Sequence, residues 1–241
     1  MAGPSIHGAT RVKHIEDFGD QRNKGWCVYC GGVGETRDHV PSKVLLDEPV
    51  PEQLPLLPAC TRCNRDSSLD EAYFACLVEC ALTGSVDAAK GRAKVGKVLD
   101  RSAALAARLA AAQYDRDGES GFNPEPDRVR AIILKLARGH AAFENNEPRL
   151  DEPESVHFLP FTAMSEQDRE RFETGTHHDG LVVWPEVGSR AMTRVLTGDD
   201  VGPGGWIIVQ PGMYRYRVEW IDGFRVQIVI REYLAAEVTW E

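Results

Sequence analysis

The hydrophobic and polar positions of the chain change period twice. Up to about residue 68 the apolar residues follow no helical or strand period: short groups are separated by glycine and proline in "GGVGETRDHVPSK" and "DEPVPEQLPLLPAC", the texture of short elements and loops. From Leu69 a helical spacing sets in, with Tyr73, Cys76, Leu77 and Cys80 recurring and Gly84 supplying a stop. The Ala-rich, basic stretch from Val86 to Gly118 has helical composition and ends in a glycine breaker, so it predicts a helix. "PDRVRAIILKLARGHAAFE" predicts a second long helix, with Val129, Ile132, Ile133 and Leu136 on one face. From about residue 154 the period drops to two. Tyr214, Tyr216, Val218 and Trp220 alternate with Arg215, Arg217 and Glu219, "FRVQIVIREYL" alternates again, and "GLVVW" and "GWIIVQPG" read as further strands.

These periods predict an α+β chain in three parts: a short-element module over residues 1–85, a helical and locally basic segment over 86–150, and a small antiparallel β-rich domain over 151–241. A hydrophobic content of 42% suffices for a packed core. No signal-peptide run and no apolar stretch of bilayer length is seen, so a soluble, cytoplasmic protein without a membrane partner is expected. The net charge of −9 excludes a surface that clings to nucleic acid everywhere. Residues 88–140 nevertheless carry eleven Lys or Arg against six acids, while the chain beyond is acidic, so a polyanion would meet the middle of the chain.

Four of the six cysteines fall as Cys27-x-x-Cys30 and Cys60-x-x-Cys63, and 29 residues separate the two pairs. Two such knuckles, each beside a glycine or asparagine turn, supply the four thiolates of a tetrahedral structural zinc site. Cys76 and Cys80, one helical turn apart among apolar residues, read as core side chains. The histidine-rich "THHDG" at 176–180 reads as a polar turn, and the carboxy-terminal aromatics, Trp206, Tyr214, Tyr216, Trp220 and Trp240, as sheet core rather than a base-stacking surface.

A zinc held by four cysteines has no open coordination position, so any chemistry belongs to a separate site. Asp38-His39 lies between the knuckles and Asn64 follows the last cysteine. An imidazole can activate water, and a carboxylate and an amide offer oxygens of the kind that a hard cation such as magnesium accepts. The zinc knuckles would clamp the Asp38-His39 hairpin against the helix entered near Cys63.

The motifs "C-x-x-C-G", "T-R-D-H-V-P" and "P-A-C-x-x-C-N" resemble the HNH endonucleases, the zinc-knuckle branch of the ββα-metal nucleases, over roughly residues 25 to 80. The resemblance implies a ββα-metal fold for this module and metal-dependent hydrolysis of phosphodiester bonds, in DNA before RNA. It further implies His39 as general base, Asp38 and Asn64 as ligands of a catalytic Mg2+ or Mn2+, and Cys27, Cys30, Cys60 and Cys63 as ligands of structural Zn2+. Lys43, Arg62 and Arg65 lie close by and are candidate phosphate contacts, with solvated surface charge as the equal alternative. The helical segment and β domain would then select a target, a regulatory partner or a second copy of the chain. The sequence departs from the family in having "QLPLLPAC" where a middle asparagine usually braces the histidine loop, and in lacking a lysine soon after Asn64. These departures keep a rival in view: a catalytically silent zinc module that binds nucleic acid or a protein.

Overall fold

The structure, a computed structural model, describes residues 24–116, 119–175, 185, 188–198, 201–220 and 223–241. The "GLVVW" strand expected at 180–184 and the loop at 176–180 lie outside the described residues.

A two-stranded antiparallel hairpin, β1 (Thr36–His39) and β2 (Leu56–Ala59), is joined by a loop carrying a single 3-10 turn at Lys43–Leu45, and leads at once into α1 (Thr61–Thr83). Helix α1 starts well before its apolar period because caps set its first turn. Cys60 Sγ accepts the backbone N–H of Cys63 at 3.3 Å, and Glu35 Oε2 accepts both N–H and Oγ1–H of Thr61, at 3.3 and 2.7 Å. Gly84 closes the helix at φ 83°, a left-handed conformation suited to glycine. Leu69, which opens the helical spacing, is 75% exposed, whereas Tyr73, Cys76, Leu77 and Cys80 are buried.

The Ala-rich stretch is broken rather than continuous, into α2 (Val86–Ala89), α3 (Ala93–Arg101) and α4 (Ala103–Ala112). Ser102, at φ −128° and ψ 81°, leaves the helical region, and its Oγ caps α4 by accepting from the Leu105 N–H at 3.3 Å. A second hairpin, β3 (Gln113–Arg116) and β4 (Glu119–Phe122), stands where the helix was expected to continue. Helix α5 (Pro126–Asn145) begins with proline in its first turn, where the missing N–H costs nothing. Val129, Ile132, Ile133 and Leu136 are all buried, as their spacing predicts.

The carboxy-terminal region holds β5 (Ser155–Pro160), α6 (Glu166–Thr174), α7 (Arg190–Thr197), β6 (Ile207–Gln210), β7 (Tyr214–Trp220), β8 (Phe224–Ile230) and β9 (Leu234–Trp240). The strands form one antiparallel sheet in the order β5-β9-β8-β7-β6, so the α+β class holds, with two helices inside the part expected to be β. Helix α6, "EQDRERFET", has almost no apolar period to announce it and is nucleated by a Ser165 cap on the Asp168 N–H. One sheet face, with Tyr214, Tyr216, Val226, Ile228, Ala236 and Val238, joins a core that runs through α1 to α5. Trp206, Tyr214, Tyr216 and Trp240 are buried, and Trp220 is partly so, as core packing requires.

Helix α5 also belongs to a second, smaller cluster, in which Ala142 and Phe143 pack with Cys27, Val28, Tyr29, Val40, Leu57 and Ala59. Gly139 permits this approach, since a Cβ there would lie 2.6 Å from Val40 Cγ2. The same helix therefore touches both the cysteine hairpin and the sheet. Among the described residues, no helix is long and apolar enough to cross a membrane.

Candidate functional site

The loop from Trp26 to Val33 folds as a tight knuckle: the Cys27 N–H donates to the Gly32 carbonyl at 2.6 Å and the Gly31 N–H to the Cys27 carbonyl at 2.9 Å. Gly31 takes φ 70° there, a turn conformation that favours glycine. The second pair sits on the cap and first turn of α1. Antiparallel pairing of Thr36 with Ala59 brings the pairs together, and one sulfur of each of Cys27, Cys30, Cys60 and Cys63 lies within 4.8 Å of the others. Cys30 Sγ and Cys60 Sγ are 3.7 Å apart, close to the spacing that zinc–sulfur bonds of about 2.3 Å impose on a tetrahedron. The cluster could hold a structural metal such as zinc. The Cys63 backbone N–H draws the Cys60 thiol down to about 7, whereas burial pushes Cys27 and Cys63 up. A bound cation would relieve the mutual repulsion of four thiolates.

Asn64 lies in the first turn of α1 and its amide donates to Thr36 Oγ1 and to the Arg37 carbonyl, both at 3.2 Å. The structure thus sets Asn64 against the residue before Asp38. On β1, Asp38 is buried and His39 half-buried. The Asp38 carboxylate meets partners that sequence reading missed. Its Oδ2 accepts from Tyr29 Oη at 3.1 Å and from Lys135 Nζ at 2.6 Å. The same ammonium donates to Glu71 Oε1, and Glu71 Oε2 accepts from Ser42 Oγ at 2.9 Å. Burial opposes the Lys135 charge, but Asp38 and Glu71 outweigh it and hold the ammonium above its usual range. Burial, reinforced by Asp38, also keeps Tyr29 a neutral donor. Tyr29 lies between the cysteines of the first pair, and Glu71 lies two helical turns after Asn64, so both could have been found from spacing. Nothing in the sequence points to Lys135.

Lys43 and Arg62 are exposed, and Arg65 pairs with Asp66 at 3.5 Å on the surface. Three cations of the basic middle segment are held by acids elsewhere in the fold. Arg92 pairs with Asp47 at 2.8 Å, Lys94 with Glu48 at 3.0 Å and Arg128 with Asp70 at 2.6 Å, so these cations do not form an open stripe for a phosphate backbone. Cys76 and Cys80 are buried, and burial lifts their thiols to about 12 and about 11, the behaviour of inert core residues.

No family model, curated protein or solved structure matches the chain.

Proposed function

We propose that the chain is a metal-dependent endonuclease of the HNH, ββα-metal kind, hydrolysing phosphodiester bonds of nucleic acid, DNA before RNA, with His39 activating water. One arrangement supports this reading: the gathered thiols fasten the hairpin bearing Asp38-His39 to the first turn of α1, where Asn64 is hydrogen-bonded to β1. Strand, strand and helix follow one another in the ββα order.

Asp38 Oδ1 and Asn64 Oδ1 lie outside the hydrogen bonds described above and are the oxygens that would hold Mg2+ or Mn2+. When bound, such an ion supplies charge neutralisation at the phosphoryl and leaving oxygens. His39, the next residue on β1, is the group that would take a proton from water at an imidazole nitrogen. Exposed Lys43, Arg62 and Arg65 meet the flanking phosphates. The thiol cluster remains structural, because four sulfurs leave no position for substrate.

Plasmid cleavage in Mg2+ or Mn2+ tests the reading. His39→Ala should lower the rate by about a hundredfold or more while zinc content and circular dichroism stay unchanged. Cleavage at the wild-type rate by that variant would overturn it. The capture of Asp38 Oδ2 by Lys135 and Tyr29 favours a second reading, a silent zinc module that binds nucleic acid or protein. Wild-type protein that binds DNA yet cuts it with no divalent metal selects that alternative.

A further inference from the structure

Lys135 lies 97 positions from Asp38 in sequence and on a different element, yet its ammonium sits between the Asp38 and Glu71 carboxylates, 2.6 Å from Asp38 Oδ2. The three side chains are 9%, 11% and 13% exposed, so water screens them weakly. Ser42 fixes Glu71 and Tyr29 fixes Asp38 from the other side, so the carboxylates cannot swing away from the ammonium without leaving hydrogen-bond partners behind.

Two carboxylates against one ammonium leave a single net negative charge, close to the oxygen that the proposed function gives to a divalent cation. A lysine at hydrogen-bond distance already supplies Asp38 with positive charge. A divalent ion arriving on the same carboxylate meets that charge at short range, where repulsion is strong and poorly screened. We infer that Lys135 is a built-in counter-ion of Asp38 that sets how tightly the site binds its divalent metal, holding affinity low so that occupancy follows metal concentration. The inference rests on the assignment of Asp38 as a ligand.

Mn2+ titration of zinc-loaded protein, with free Mn2+ read by electron paramagnetic resonance, tests it on Lys135→Met, on Lys135→Met/Glu71→Gln and on Asp38→Asn in each background. The double variant removes one charge of each sign, so it keeps the net charge of the cluster and guards against misfolding of the single variant. Mn2+ binding at least tenfold tighter in the double variant, abolished by adding Asp38→Asn, supports the inference. Binding that Asp38→Asn abolishes in the wild type, but that the double variant leaves within about threefold, overturns the inference alone. Binding that Asp38→Asn leaves unchanged, or no Mn2+ binding by any of the proteins, overturns the assignment of Asp38 as a ligand and the inference with it.

Discussion

Strands β1 and β2 pair over four residues and sit in a buried cluster that includes two residues borrowed from α5, whereas β7, β8 and β9 pair over seven residues each and share a core with helices α1 to α5. A two-stranded hairpin of that length is marginal on its own. Its order must come from the sulfur cluster and from α5, while that of the sheet comes from apolar burial. The candidate site therefore lies on the more thinly packed of these two regions, and a helix rooted in the well-packed one reaches over to hold it.

Stripping the metal should separate the two regions most sharply. Structural zinc sites of this kind contribute about 10 kcal/mol or more of coupled binding free energy, so chelation, or Cys60→Ser, should abolish amide protection at Val28 and Gly31 while β7 to β9 stay protected in hydrogen exchange. Metal analysis should find one zinc per chain. Equal loss of protection in the sheet would show that the regions are not independently held.

Ile228→Ala strikes the other side. The residue is 1% exposed in the sheet core, and its truncation should cost about 2 to 5 kcal/mol in urea unfolding without releasing zinc.

Gly139→Ala strikes the joint. Helix propensity alone would favour alanine by about 1 kcal/mol, but a Cβ 2.6 Å from a stiff valine should cost about 1 to 3 kcal/mol, giving a net loss. Adding Val40→Ala should recover most of it, and a stabilised single variant would disprove the close approach.

The smallest effect concerns pH. His140 is fully buried between α5 and the sheet, stacked on Tyr216 with its Nε2 2.7 Å from Tyr214 Oη, and burial lowers it from the ordinary 6.5 to about 3. Between those values the unfolded chain binds a proton that the native fold refuses. Stability is therefore complete above about pH 6.5 and falls as pH drops, by about 1.4 kcal/mol per unit once the unfolded imidazole is charged. Urea midpoints at pH 7 and 5.5 should show this loss in the wild type and not in His140→Gln, which carries the same cysteines.

The cysteine pairs, the long helix from Pro126 and the alternating strands after Tyr214 were legible because each is written in local spacing. The break at Ser102 and the β3–β4 hairpin were not, because alanine-rich composition reports helix propensity and is silent about where a serine will cap a new helix. Leu69 shows the converse: a residue in correct period that is nevertheless exposed. The partners of the candidate site were least legible. Asp38 and Asn64 could be read from motif spacing, but the ammonium on Asp38 comes from α5, and no periodicity carries information about a contact 97 residues away. Arg92, Lys94 and Arg128 of the middle segment likewise could not be told from free cations until their acidic partners, Asp47, Glu48 and Asp70, came into place from outside that segment.

Among the described residues, strand β5 forms its ladder with β9 alone, and three further strands of the sheet lie between them in sequence. During translation at about 5 to 20 residues per second, β5 must wait several seconds or more before β9 leaves the ribosome. Until then the edge that β9 will cover is open to a neighbouring nascent chain, so the yield of correctly assembled protein should depend on chaperone supply and on how crowded the polysome is.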